Sequence, residues 1–370
     1  MQIAYSALDK QHEKIKLDIL KAVEHVLDTG VFILGNQVEE FEKKFSAYHG
    51  KKYAIGLNSG TDALMLSLKA LGIGAGDEVI TTANSFITSV SSIVLVGAKP
   101  VLVDIGYDDN LDVEQIERAI TDKTTAILPV HWTGRPCNMA RISQIAEKYG
   151  LKIIEDCAQA ISARFKNKLV GTFGDAGCFS LHPFKTLNAC GDGGVVVTDN
   201  LELAERIKVL RHNGLSMDGS CHFWSNNSRL DSIQASILNI KLDHFEDWTQ
   251  RRIQVAAYYD VCLKSIKEIT LPAPLDSDYY SVYHTYIIKA QSRDDLQAYL
   301  FSKGIETKIH YKIPIHQQQI AKQHLGYVEG DLRNIERIAK EVLSLPIYPE
   351  LARDEQDYVV EQIKNFYSNR

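Results

Sequence analysis

Lys152-Ile153-Ile154-Glu155-Asp156-Cys157-Ala158-Gln159 decides the fold. An apolar, β-branched run passes directly into two carboxylates. A short run of this kind reads as a strand covered on both faces, as in a parallel sheet. In open α/β sheets, ligand-binding groups gather beyond the carboxyl ends of the strands. Asp156 therefore stands where a strand delivers an anion to a site, with Gln159 three residues on. The plainer alternative for Asp156 is a helix cap.

The same rhythm extends outward from this stretch. Toward the N-terminus, strands are expected at 53–57, 78–82, 100–104 and 125–130, with helices at 61–71, 87–96, 112–120 and 138–149 between them. Toward the C-terminus, strands at 177–181 and 194–198 flank the turn Gly191-Asp192-Gly193-Gly194. This alternation predicts an α/β domain whose mostly parallel sheet is covered on both faces. A long helical region at 230–264 leads into a smaller α+β part, and Gln11 to Thr29 forms one amphipathic segment ending at Gly30. Gly72-Ile73-Gly74-Ala75-Gly76 follows a helix and precedes a strand, the reverse of a dinucleotide fingerprint, and reads as a tight turn.

Three more segments fall at strand ends. Asn58-Ser59-Gly60-Thr61-Asp62 opens a helix, whose free N–H groups and partial positive charge suit a phosphate. Ser59 or Thr61 serves there as cap or phosphate ligand, and a simple N-cap is the alternative. Gly177-Cys178-Phe179-Ser180-Leu181-His182-Pro183-Phe184-Lys185 brings a lysine just past a buried strand. Burial there lowers an amine's pKa and frees it to attack an aldehyde, whereas a lone lysine is ordinarily a surface charge. Asn84-Ser85-Phe86 places an aromatic where it can stack on a planar ring or simply join the core.

Composition narrows the class. Of 370 residues, 45% are apolar and 24% charged, as in ordinary globular chains. The net charge is −6 without a basic block, which argues against nucleic acid. No apolar run approaches the roughly 18 residues of a membrane span, and no leader pattern is visible, so a cytoplasmic location is expected. The six cysteines form no C-x-x-C pair and read as free thiols. His310-Tyr311 and His316 lack a third ligand at metal spacing, so no metal is expected.

Taken in order, these segments resemble the DegT/StrS-type sugar aminotransferases, pyridoxal-phosphate enzymes of fold type I. The resemblance also rests on Ile33 to Glu42, Asn227-Ser228-Arg229-Leu230-Asp231, His310-Tyr311 with Pro314 and His316, and Leu345-Pro346-Ile347-Tyr348-Pro349. It implies a three-layer, aspartate aminotransferase-like fold with a large cofactor-binding domain (1–245) and a small C-terminal α+β domain (246–370). It implies pyridoxal 5'-phosphate held covalently by Lys185, which also shuttles protons. Asp156 would pair with the pyridine nitrogen, Gln159 with the phenolic oxygen, and Phe86 would stack on the ring. Gly60, Thr61 and Ser180 would hold the phosphate, and Asn227 would reach the phosphate of a neighbouring subunit in a homodimer with shared sites. Arg229, His310 and Tyr311 would face the partner's site and bind substrate.

The implied reaction moves an amino group from L-glutamate to a nucleotide-linked keto sugar, at C3 rather than C4, in cell-surface glycan (lipopolysaccharide or O-antigen) or natural-product sugar biosynthesis. Relatives that carry histidine in place of the lysine act as dehydratases, which the retained Lys185 argues against. A non-catalytic regulatory protein on the same fold is the rival of another class. A nicotinamide oxidoreductase lacks its strand–G-x-G-x-x-G–helix unit here. His182-Pro183-Phe184, Asn188-Ala189-Cys190, Ile161-Ser162 and Lys312 depart from the commoner family sequences near the expected sugar pocket.

Overall fold

The computed structural model describes residues 1–216 and 218–368. The strands of the first half are β1 (Tyr53–Leu57), β2 (Glu78–Thr82), β3 (Lys99–Val103), β4 (Thr124–Ile127) and β5 (Lys152–Asp156). The short pair β6 (Arg164–Phe165) and β7 (Lys168–Leu169) follows, then β8 (Ala176–Ser180) and β9 (Gly194–Thr198). Among the described residues, a seven-stranded sheet has the order β1-β9-β8-β5-β4-β2-β3. The run from β8 to β3 is parallel, while β9 is antiparallel to both β1 and β8. The connection from β8 to β9 contains no crossover helix, and a direct return pairs strands antiparallel.

Helices cover both faces. The first nine are α1 (Leu8–Glu13), α2 (Lys16–Thr29), α3 (Asn36–His49), α4 (Gly60–Ala70), α5 (Thr88–Leu95), α6 (Val113–Ala119), α7 (Met139–Tyr149), α8 (Leu201–Arg211) and α9 (Ser232–Leu263). Helix α7 shows how sequence sets such an element. Asn138 caps it by accepting from the Arg141 N–H at 3.2 Å, and Gly150 ends it at φ 67°. Met139, Ile142 and Ile145, spaced three apart, are fully buried against the sheet. Each such side chain contributes about 2 kcal/mol. Helices α4 and α8 pack on one face with Ile55 and Ile154, whereas α3 and α9 pack on the other with Phe179 and Val195.

The expected segment from Gln11 to Thr29 is two helices, α1 and α2, separated at Lys14-Ile15. Helix α2 buries only Val26 fully and leaves Leu17, Leu20 and Leu27 exposed. Helix α9 runs straight through the expected boundary at 245/246. Its first half packs Ala235, Leu238 and Phe245 into the large core, and its second half packs Val255, Ala256 and Tyr259 into another. That second core lies on an antiparallel sheet of β10 (Ile269–Thr270), β12 (Tyr286–Ala290) and β13 (Val342–Leu345). Strand β11 (Tyr279–Tyr280) instead joins β6. Ile3 and Ala7 belong to this second core as well, and the Ile3 N–H donates to Gly304 O at 2.8 Å. The smaller domain is thus built from both ends of the chain.

Candidate active site

The carboxyl ends of β1, β2, β5 and β8 and the start of β9 lie on one edge of the sheet, and a cavity of about 350 Å³ opens there. Its lining includes Gly60, Thr61, Phe86, Asp156, Gln159, Ser180 and Lys185. His284, Thr285, His310 and Tyr311 close it from the smaller domain. The segments singled out in sequence therefore converge in space.

One wall suits a phosphate. Ser59 caps α4, its hydroxyl accepting from the Asp62 N–H at 3.1 Å, which leaves Thr61 free to face the cavity. Gly60 opens the helix directly against Ser180: a β-carbon at Gly60 would lie 2.6 Å from Ser180 Cβ. A β-carbon at Gly194 would fall 2.1 Å from Ser59 O. Only glycines permit this approach, and the outcome is a helix N-terminus faced by a serine hydroxyl.

The opposite wall carries the charge. Asp156 is buried, its Oδ2 accepting from Ser89 Oγ at 2.6 Å and its Oδ1 from the Ala158 N–H at 3.1 Å. Gln159 Oε1 accepts from the Thr133 N–H at 2.8 Å, so its NH₂ is the end left for the cavity. Burial pushes the Lys185 amine down to about 8, and Asp156 opposes that shift only in part. His310 is held down to about 4 by burial first and then by Lys185, and His284 is also pushed down by burial. Both imidazoles are therefore neutral at pH 7. His284 Nδ1 is buried without a hydrogen-bond partner, and the ring lines the cavity.

Behind the site, Glu155 braces the end of β5. Burial pushes its carboxyl up, but His131 and the N–H groups of Gly171 and Gly174 outweigh that and hold it below the ordinary range. His131 Nδ1 accepts from the Cys137 N–H at 3.0 Å, so Nε2 donates to Glu155 at 3.2 Å. Although His131, Glu155 and Cys157 cluster closely enough for a metal, hydrogen bonds already occupy His131 and Glu155. His316 bonds Glu336 at 2.9 Å, and His310 Nδ1 bonds Ser344 at 2.7 Å.

Some expected residues sit elsewhere. His310 and Tyr311, which the resemblance assigned to a partner's site, line the cavity of their own chain. The reason is that the smaller domain folds back over the sheet edge. Asn227 and Arg229 lie outside the cavity; Asn227 is exposed, and Arg229 bonds His212 Nδ1 at 2.8 Å. Sequence reasoning missed Ser89, His284 and Thr285. Ser89 lies three residues after Phe86, about one helical turn away, which is a usable signal; His284 and Thr285 stand in no recognisable pattern.

A family model described as the DegT/DnrJ/EryC1/StrS aminotransferase family matches residues 13–364. The chain is 43% identical over 367 residues to a dTDP-3-amino-3,6-dideoxy-alpha-D-galactopyranose transaminase of Aneurinibacillus thermoaerophilus, covering 98% of this chain and 99% of that one. It is equally 43% identical over 369 residues to a "pleiotropic regulatory protein" of Geobacillus stearothermophilus, covering 99% of each. Among solved structures, S. venezuelae DesV in complex with a ketimine intermediate superposes with a TM-score of 0.96 at 38% identity, covering 99% of this chain and 98% of that one. The fold is therefore that of the fold-type I sugar aminotransferases.

Proposed function

Because this chain belongs to the DegT/DnrJ/EryC1/StrS aminotransferase family, and is thereby a pyridoxal-phosphate-dependent sugar aminotransferase, we propose that it transfers the amino group of L-glutamate to C3 of a nucleotide-linked keto-deoxyhexose. The observation that carries this reading is the meeting of Lys185, Asp156 and the Gly60–Ser180 cradle in one cavity. When bound, pyridoxal phosphate would supply an electron sink for the reacting carbon. The residues present fit that group. Gly60, Thr61 and Ser180 would hold its phosphate, and Phe86 would stack on its ring. Asp156 would supply the anion for its ring nitrogen, and the Gln159 NH₂ would meet its phenolic oxygen.

Lys185 takes the proton from one carbon and returns it to another, which a partly buried amine with a lowered pKa performs near neutral pH. His310, Tyr311 and His284 present neutral polar groups to the sugar. A second copy of the chain completes the site with Asn227 and Arg229. The exposed Leu17, Leu20, Leu27, Val31, Phe32 and Ile33 support that assembly, since monomers rarely leave so many large apolar side chains in one region. Among the described residues no helix is long and apolar enough to cross a membrane, which accords with work in the cytoplasm on sugars for surface glycans or natural products.

The test offers the cofactor-loaded protein L-glutamate with matched 3-keto and 4-keto nucleotide sugars, and reads the products by mass spectrometry and NMR. A 3-amino sugar is expected. Amination at C4 alone would overturn the position. Tight cofactor binding without amination of either would favour a regulatory role like the one named for the Geobacillus relative.

A further inference from the structure

Helix α9 carries Lys241 fully into the interior, beneath the loop that bears Lys185. Its Nζ lies 2.6 Å from Asn188 Oδ1 and 2.8 Å from His12 Nε2, with Cys190 Sγ at 4.0 Å. Among the described residues, no carboxylate lies within ion-pair distance of this amine. A buried ammonium without a counter-ion is expensive, and an apolar side chain of similar volume would pack there at lower cost. Its presence calls for a reason beyond packing.

That reason lies at the far end of Asn188. With its oxygen fixed by Lys241, the Asn188 amide turns its Nδ2 to Lys185 O at 3.1 Å and to Gln11 Oε1 at 3.2 Å. The next residues are tied down as well: the Ala189 N–H donates to Leu181 O at 2.7 Å, and the Cys190 N–H to Gln234 Oε1 at 2.8 Å. We propose that Lys241 is a positioning residue for the transamination, fixing the backbone of Lys185 through Asn188 and so aiming the amine that moves the proton. The inference rests on the reading of Lys185 as the cofactor-bearing lysine. Proton transfer tolerates little displacement, and a 1 Å error in placement costs on the order of 100-fold in rate.

The midpoint of Lys185 depends on its burial and on its approach to Asp156, so displacing its backbone moves that midpoint. The groups facing Lys241 are His12 from α1 and Cys190 from the loop; those facing Lys185 are Asp156, His182, His284 and His310. Burial brings the Lys241 ammonium down to about 8, so it is charged at neutral pH.

The experiment loads wild type, Lys241→Met, Asn188→Ala and the double variant with pyridoxal phosphate. It then reads two things: the pH midpoint of the cofactor absorbance, and the single-turnover rate with L-glutamate. The expected result is a midpoint displaced from the wild-type value in Lys241→Met and a rate at least about tenfold lower at unchanged half-saturation. Asn188→Ala slows the reaction comparably, and the double variant is no slower than Lys241→Met alone, because both act on one element. A wild-type rate and midpoint in Lys241→Met, or additive losses in the double variant, overturns the proposal. Should Lys241→Met not fold, Asn188→Ala carries the test alone, and a wild-type rate there overturns it. A wild type that forms no absorbing linkage sinks the cofactor reading itself, which separates the two failures.

Discussion

Ser89 donates its hydroxyl to Asp156 Oδ2 at 2.6 Å, and Ser85 lies 2.6 Å behind it. Since Ser89 spends its proton on the carboxylate, Ser85 donates to Ser89, and the pair fixes one oxygen of the anion. Replacing Ser89 with Ala removes a charge-assisted bond of about 1.5 kcal/mol or more. Cofactor affinity, measured by equilibrium dialysis, should fall roughly tenfold. Ser89→Thr should keep it, and equal affinities in all three proteins would refute this role for the serine.

Lys185 should capture cofactor with a pH dependence of its own. Burial holds its amine at about 8, and only the neutral amine attacks an aldehyde. Capture by the cofactor-free protein should therefore accelerate as pH rises toward 8 and level off above it. An exposed lysine would keep accelerating beyond pH 10. Asp156 raises this pKa, so Asp156→Ala should move the midpoint lower. Stopped-flow absorbance between pH 6 and 10 checks both directions. Lys185→Ala should bind cofactor yet show no covalent band.

Gly60→Ala should fill the phosphate cradle. The added methyl meets Ser180 Cβ at 2.6 Å, with Ser180 Cα at 3.1 Å behind it, so neither side yields cheaply. Cofactor affinity should drop by tenfold or more, and the melting temperature of the cofactor-free protein should fall as well, since overpacking costs about 1–3 kcal/mol. A variant that binds cofactor as tightly as wild type would show that the phosphate sits elsewhere.

His49 sits among Phe45 and Phe179, with ring centroids at 4.3 and 4.7 Å, and burial holds it down to about 4. Unfolded, it titrates near 6.5. Between these values the unfolded chain binds more protons, so stability present above pH 6.5 is lost as pH falls toward 4. The loss is of order 3 kcal/mol for this group. His49→Phe should flatten the pH dependence of urea midpoints across that window; an unchanged slope would show that His49 does not set it.

Much of the large domain was legible because its strands are apolar runs ending in polar groups, as at Ile153-Ile154-Glu155-Asp156. The helix at 61–71 announced itself through Ser59 and Gly60, and the one at 138–149 through its place in the alternation of strands and helices. The smaller domain was not legible to the same degree. Tyr286–Ala290 and Val342–Leu345 become strands because they pair with each other over more than fifty residues, which no local pattern records. The same limit hid His284, whose place in the cavity is set by the way β12 enters from the other domain. The split between α1 and α2 escaped notice because the amphipathic pattern continues across Lys14-Ile15.

The seating of Ile3 beside Gly304 and Ile305 has a consequence for how the protein is made. Ile3 and Ala7 have partners up to about 300 positions later in the chain, so they wait, apolar and uncovered, until those partners are made. The large sheet, complete by Thr198, is free to assemble meanwhile. Closing the smaller domain around Ile3 then follows assembly of the sheet, because contacts so distant in sequence are costly to bring together. A chain cut short near residue 300 would carry a finished sheet edge and an unfinished cover, with Ile3 and Ala7 left as adhesive spots for chaperones or for other unfinished copies.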